Sequence, residues 1–285
     1  MQYFEPNFLD EALVLLDRFA PDSYVLAGGT ILAPHLRPGP ARGTLVNVKR
    51  VRELHEIEVD SPGVLRIGAL VTARELHESD LVLAHAPLLA AAAGTLGAPQ
   101  LRNVATIGGN LCSGISSADL SVALLACDSR CIVAGGPTGP VALALDQFLS
   151  GRPGAGSRLM LTAVEVPACS ANTAYQKMQV RQAFEIALVN VAVAVELASG
   201  TIARARVALG GVAPRPLRAR NAERHLEGKV TTARIARTAA EIAARDDAKP
   251  QTDHRASAEY RRQIAAVLAE RALLAAFESP PVGAR

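Results

Sequence analysis

Thr106-Ile107-Gly108-Gly109-Asn110-Leu111-Cys112-Ser113-Gly114-Ile115-Ser116-Ser117-Ala118-Asp119 is the stretch around which the chain is organised. Its Gly-Gly pair has a counterpart much earlier, in Ala27-Gly28-Gly29-Thr30, which follows the apolar run Tyr24-Val25-Leu26 and so sits at the end of a buried strand. A Gly-Gly pair has no Cβ atoms to block approach and reaches positive φ, so consecutive N–H groups can converge on an anion such as a pyrophosphate. Thr30, Thr106, Ser113, Ser116 and Ser117 add hydroxyl donors. Asp119 only accepts hydrogen bonds, which suits a ribose hydroxyl or a set of amides better than a phosphate. Together the two turns suggest a nucleotide cofactor. Each alone reads equally as a tight connection, with no Lys-Ser/Thr after a glycine loop and no G-x-G-x-x-G opening a helix.

The two turns, with the lead-in Gly97-Ala98-Pro99-Gln100-Leu101-Arg102-Asn103-Val104-Ala105, closely resemble the FAD-binding medium subunit of molybdenum hydroxylases, the xanthine dehydrogenase and carbon monoxide dehydrogenase group. The similarity continues through Tyr175-Gln176-Lys177 to Tyr260-Arg261-Arg262 and covers essentially the whole chain. The resemblance implies an α+β protein. Two α/β subdomains, residues 1–57 and 58–168, form an FAD-binding fold of the vanillyl-alcohol-oxidase type. Residues 169–285 form a C-terminal three-stranded antiparallel sheet with a helix bundle. It also implies site roles: Leu26, Ala27, Gly28, Gly29, Thr30 and Ile31, with Thr106, Gly109, Asn110 and Ser113, around the FAD pyrophosphate; Asp119 at the ribityl or ribose region; Met160 or Leu161 bordering the ring system; Ile186 against one face of the isoalloxazine. Lys177 would approach the flavin, where a cation stabilises the negative charge of reduction; by spacing alone it reads as a solvated strand residue. Two positions depart from the family pattern: Ile115-Ser116 stands where a proline is common, and Glu185 where an aspartate is.

Composition sets the frame for these motifs. A chain of 285 residues buries about three quarters of its unfolded surface, enough for two or three subdomains. With 49% hydrophobic and 20% charged residues it is an ordinary globular protein, and 4% aromatics imply a core of small and β-branched side chains. A net charge of +3 with dispersed arginines gives no basic stripe for nucleic acid. Met1-Gln2-Tyr3-Phe4-Glu5-Pro6 is no signal peptide, and Leu81 to Ala98, interrupted by His85, Pro87 and Gly94, is too short for a membrane span, so a cytoplasmic location is expected. Cys112, Cys127, Cys131 and Cys169 form no C-x-x-C and no His-paired cluster, so they read as free thiols; Cys112 lies inside the proposed cofactor loop.

Along the chain, Leu9, Leu13, Leu16 and Phe19 or Ala20 mark a helix over 7–20 with Asn7 as N-cap and Pro21 as stop. Ile31 to Leu36 predicts a short helix, Arg37 a further cation near the anion, and Thr44 to Val48 a strand. Short strands are expected at Gly63 to Ile67 and Gly68 to Val71, then a helix from Thr72 with Glu75 in capping-box position. Helices follow at Pro87 to Gly94 and Ser121 to Cys127. Arg130 to Ala134 predicts a strand, Gly135 to Pro140 a hairpin turn, and Arg158 to Val166, after the Gly151 to Gly156 loop, the last strand of the region. Beyond it come strands at Ala174 to Val180, Ala187 to Glu196 and Ala203 to Leu209, and helices near Arg218 to Glu227, Thr231 to Ala244 and Ala256 to Phe277.

His35, His55, His77, His85, His225 and His254 share no motif, and no Ser, Cys or Lys has an obvious activating neighbour. A flavin brings its own redox chemistry, so this shortage suits a chain that only binds and tunes one. Family similarity places 2Fe–2S clusters and molybdopterin on a small and a large partner chain, in a dimer of heterotrimers, with electrons leaving FAD for an external acceptor. Two other readings stay open: a self-sufficient FAD-dependent reductase of the same broad fold, and a non-catalytic subunit that has lost FAD.

Overall fold

The computed structural model describes residues 1–36, 43–60, 63–151, 157–168, 171–181 and 184–278. Three small sheets follow one another along the chain. β1 (Gln2–Phe4), β2 (Ser23–Leu26) and β3 (Thr44–Asn47) are parallel, in the order β1-β3-β2, with α1 (Leu9–Arg18) and α2 (Leu32–Leu36) as connections. Parallel pairing forces each connection to cross over, and the crossover after β2 carries the first glycine turn. Leu16 and Ala12 of α1 are buried against Val46 and Val48, with Leu9 and Leu13 beside them. The helix is capped by Phe8, whose side chain makes no cap bond, while Asn7 donates its N–H to Glu11; the anticipated Asn7 cap is one residue too early.

The second sheet contains β4 (Ile57–Asp60), β5 (Val64–Gly68), β6 (Arg130–Ala134), β7 (Val141–Ala144) and β8 (Met160–Val166), all antiparallel, in the order β4-β5-β8-β6-β7. The strand expected over 68–71 is absent. Gly68 ends β5, and the next amides go to separate acceptors, Ala69 to Thr162 O and Leu70 to Leu54 O, so no ladder forms. Helices α3 (Ala73–Glu78), α4 (Asp80–His85), α5 (Pro87–Gly94), α6 (Pro99–Arg102), α7 (Ile107–Cys112), α8 (Asp119–Ala126) and α9 (Leu145–Gly151) occupy this part of the chain. Thr72 and Glu75 form the expected capping box, and Pro87 opens α5 at a position that needs no N–H. The segment Thr106–Cys112, expected as a turn, is helical from Ile107 because the Thr106 hydroxyl accepts the Gly109 N–H and caps it.

The third sheet has the three expected strands, β9 (Asn172–Met178), β10 (Val189–Ala198) and β11 (Thr201–Gly210), and a two-residue edge strand β12 (Leu217–Arg218), in the order β12-β11-β10-β9. Helices α10 (Arg220–Leu226), α11 (Ala233–Ile242) and α12 (Ala258–Glu278) follow, with a π turn at Ala243–Asp247. The pleat divides β10 cleanly: Val189, Val191, Val193 and Val195 join the core shared with α11 and α12, while Ala192, with Ala208 of β11, joins the core that contains α8. Small side chains on that second face let a helix whose residues are all buried lie close to the sheet.

Ion pairs hold α8 at both ends. Asp119 opens it and meets Lys177; Asp128, just past its end, accepts from Arg204, Arg206 and Arg218, and Arg218 also donates to Leu125 O in the last turn. Burial works against the Asp128 charge, but the Arg218 guanidinium, then Arg206 and Arg204, hold its carboxyl below its ordinary value. Ala192→Leu should lower stability by about 1–3 kcal/mol, because added volume has to push α8 off the sheet. A lower denaturation midpoint with an unchanged m-value is the expected reading; an unchanged midpoint would show that this face has room.

Candidate cofactor-binding site

The two glycine turns face each other across a cavity of about 660 Å³. The first turn lies against the lead-in to the second: a Cβ on Gly28 would lie 1.8 Å from the Val104 carbonyl oxygen, so only glycine permits this approach. Gly29 has φ +75°, the left-handed region. The anticipated positive φ is found in this turn and not in the second, where Gly109 lies in α7.

The turns also differ in what their amides do. In the second, Ile107 N–H goes to Val71 O, Gly108 N–H to Ala69 O, Gly109 N–H to Thr106 Oγ1 and Asn110 N–H to Thr106 O. In the first, the N–H groups of Gly28, Gly29, Thr30 and Ile31 have no acceptor among the described residues. A run of unsatisfied amides beside a cavity is the donor set that a phosphate or pyrophosphate requires. Ser113 spends its hydroxyl on Asn110 O, and Asn110 gives its side-chain oxygen to Ser121, which leaves the Asn110 amide nitrogen as the polar group offered from this side.

Of the residues singled out in the sequence, Ala27, Gly28, Gly29, Thr30, Ile31, Thr106, Gly109, Asn110, Ser113, Asp119, Met160, Leu161 and Ile186 line the cavity; Leu26 and Lys177 do not. Leu26 ends β2 and passes its carbonyl to Val48 N–H. Lys177 is no solvated strand residue: its side chain is 5% exposed, and its Nζ donates to Asp119 Oδ2 at 3.1 Å and to Thr95 O at 3.0 Å. The flanking turn residue Arg37 and Cys169 lie outside the described residues. Cys112 lines the cavity, and among the described residues no cysteine is in a disulfide and no His, Cys, Asp and Glu cluster could hold a metal ion.

Asp119 is the centre of a buried network. Oδ1 accepts from Tyr175 OH at 2.6 Å and from Asn190 Nδ2 at 3.2 Å, while Lys177 takes Oδ2. Burial, and then the carboxylate beside it, push the Tyr175 phenol well above its ordinary value, so it remains a donor. The register explains the convergence: Lys177 is opposite Asn190 and Tyr175 opposite Ala192, so all three polar side chains stand on the face towards α8. Asn190 was not anticipated. Its signal was a lone amide in the otherwise apolar run Val189 to Val195.

Phe184, Glu185 and Ile186 form another part of the lining. Arg255 grips this segment, donating to Glu185 Oε1 at 2.8 Å and to the carbonyls of Ile186 and Ala187. Arg181 also pairs with Glu185, whose longer side chain thus serves to tie down the wall. Arg255 is placed in turn by Asp253, which accepts its N–H on Oδ1 and, on both oxygens, Nη2 of Arg261. Against the cost of burial, the Arg261 bonds and the two backbone amides hold the Asp253 carboxyl down at about 2.

A parallel sheet and an antiparallel one sharing a glycine-lined cavity, with the segment between β9 and β10 on its lining, have the form of a nucleotide-cofactor-binding protein. Residues 1–169 match the family described as the FAD binding domain in molybdopterin dehydrogenase, and residues 173–276 match the CO dehydrogenase flavoprotein C-terminal domain. The chain belongs to this family, the FAD-binding medium subunits of molybdenum hydroxylases. It is 32% identical to the carbon monoxide dehydrogenase medium chain of Hydrogenophaga pseudoflava, over 97% of this chain and 96% of that one. It is also 32% identical to the putative xanthine dehydrogenase FAD-binding subunit of Escherichia coli (strain K12), over 86% and 85%. A solved structure of the H. pseudoflava carbon monoxide dehydrogenase lacking the Mo-pyranopterin moiety superposes with a TM-score of 0.89 and 32% identity, over 97% of each chain. These relatives are oxidoreductase subunits, and no helix among the described residues is long and apolar enough to cross a membrane.

Lys177→Met would strand the Asp119 carboxylate without a counter-charge in a buried setting. A loss of about 3–5 kcal/mol in unfolding free energy is expected, measured by chemical denaturation. A loss under about 1 kcal/mol would mean that water already reaches the pair.

Proposed function

We propose that this chain carries FAD as an electron-transfer subunit, receiving electrons from iron–sulfur clusters on one partner chain and passing them to an external acceptor, while a molybdopterin-bearing partner oxidises the substrate. The observation that carries the reading is the row of amides from Gly28 to Ile31, which have no acceptor among the described residues and whose residues line the cavity. Bound FAD would supply the step between two-electron and one-electron chemistry; the chain binds it, orients it and shields it. The Gly28 to Ile31 amides and Thr30 would hold the pyrophosphate, Thr106, Gly109 and Asn110 would border it, and Asp119 would accept from a ribityl or ribose hydroxyl. Met160, Leu161 and Ile186 would pack on the ring system, with Lys177 acting from behind Asp119. The organisation expected from this role is two FAD-binding subdomains, 1–57 and 58–168, with a covering domain, 169–285.

Relatives named as medium chains support an assembly of several chains, since that word ranks one chain among others. A small iron–sulfur chain and a large molybdopterin chain, as a dimer of heterotrimers in the cytoplasm, is the arrangement we assign. Permanent interfaces of this kind bury more than about 2,000 Å² in total.

Gly29→Val and Gly109→Val should abolish FAD retention while the chain stays folded. Valine resists positive φ at Gly29, and at Gly109 it puts branched bulk on the cavity wall beside Thr106 Oγ1. Asp119→Ala should weaken FAD by about 1.5–3 kcal/mol through loss of a charged acceptor. Flavin absorbance after gel filtration checks all three, and full retention by any variant removes that residue from the site. The isolated chain should bind FAD yet oxidise no organic substrate, activity appearing only with both partner chains. A reduced carrier such as NADH reducing the isolated flavin fits this reading. Robust substrate oxidation by this chain and FAD alone would overturn it in favour of a self-sufficient flavoenzyme.

A further inference from the structure

We infer that Tyr175 and Asn190 are positioning residues for the cofactor: by crowding Oδ1 of Asp119 they fix the rotation of the carboxylate and leave Oδ2 as the acceptor offered to a cofactor hydroxyl. The inference rests on the FAD reading of the cavity. A carboxylate has about four acceptor sites, two on each oxygen. Tyr175 OH donates to Oδ1 at 2.6 Å, Asn190 Nδ2 lies 3.2 Å from the same oxygen with its two hydrogens shared among Oδ1, Tyr175 OH and Ser117 O, and Lys177 Nζ at 3.1 Å takes one site on Oδ2. Two donors crowd Oδ1 and one sits on Oδ2, so the less encumbered acceptor is Oδ2, on a residue that lines the cavity.

The two positioning residues are themselves locked. The same two Nδ2 hydrogens of Asn190 also reach Tyr175 OH at 2.9 Å and Ser117 O at 3.2 Å, so a shared set of bonds ties the amide to the phenol and to the loop before α8. Its side-chain oxygen lies where a Cβ on Gly210 would come within 2.1 Å, which is why β11 carries glycine opposite Asn190. Gly211 N–H holds Ser116 O, pinning the same loop from the next residue. The donors Tyr175, Lys177 and Asn190 all belong to the third sheet, so the acceptor presented to the cofactor is shaped by a part of the chain remote in sequence from both glycine turns.

A double-mutant cycle on FAD affinity tests this, using deflavinated full-length chain titrated with FAD and followed by flavin fluorescence. Tyr175→Phe should weaken FAD about tenfold, the size of one hydrogen bond to a charged group. In an Asp119→Ala background the same change should move the affinity by less than about twofold, because its route of action is gone. Asn190→Asp gives a second, independent readout. Two carboxyls at hydrogen-bond distance share one proton, so FAD affinity should fall as the pH rises from about 5 to about 8, where the parent protein varies little. Thermal unfolding of each deflavinated variant shows that it is folded at the titration temperature.

An equal loss from Tyr175→Phe in both backgrounds, or none in the parent, would overturn the proposal, as would an Asn190→Asp variant with the parent's flat pH profile. Failure of the underlying FAD reading looks different: the parent chain itself would not take up FAD, or Gly29→Val would take it up normally.

Discussion

A buried carboxylate is the constraint on which the rest of the structure depends. Taking a charge out of water costs several kcal/mol even after relaxation, and the cost is met only if donors surround the group. Asp119 lies at the start of α8 on the wall of the cavity, and its donors Tyr175, Lys177 and Asn190 all belong to β9 and β10. The cofactor wall therefore reaches its final form only when the third sheet docks. Docking in turn needs small residues where α8 touches the sheet, and the alternation of valine with alanine in β10 provides them. One polar contact and one packing pattern, both set by a period of two, thus solve a single problem.

The far end of α8 repeats the logic with the charges arranged differently. Asp128 gathers Arg204, Arg206 and Arg218, and Arg218 is shared with Glu223 of α10. An aspartate in the first turn and an arginine at the last carbonyls both complement the helix dipole. A helix buried on all sides has no amphipathic stripe to fix its rotation or its axial position, so its ends have to do this. The acceptor that Asp119 offers to the cavity thus inherits its placement from ion pairs at both ends of the helix.

Most of the architecture was legible because it follows from local signals. Thr72 with Glu75 and Pro87 at a helix start are found as read, and Tyr24 to Leu26 is a strand before the glycine turn, though at the edge of its sheet with Val25 exposed and not buried as expected. The segment 68–71 misled because a short apolar run is the same string whether or not a ladder partner is at hand, and here its amides disperse. Thr106 to Cys112 misled for the opposite reason. Two glycines lower helix propensity by about 1 kcal/mol each, and only the Thr106 cap, with tertiary acceptors at Ala69 and Val71, offsets that. Lys177 could be placed near the cofactor by family resemblance, yet its true partner, Asp119, is distant in sequence and was visible only after the pleat and register were known.

The two glycine turns look alike in sequence but answer to different physics. In the first, Gly28 is there because the backbone of Val104 lies against it, and Gly29 because its φ is positive. Among the described residues the amides from Gly28 to Ile31 have no acceptor, and all four residues line the cavity. In the second, a Cβ on Gly108 would meet Ala69 O at 2.7 Å, and the amides are consumed by Ala69, Val71 and the Thr106 cap. That turn has no spare main-chain donors from Ile107 to Asn110 to give an anion. It contributes shape, the side chain of Asn110, and a fixed wall against which the first turn is held. The two turns thus differ in what they can offer an anion: among the described residues the amides from Gly28 to Ile31 have no acceptor, while those from Ile107 to Asn110 are all taken.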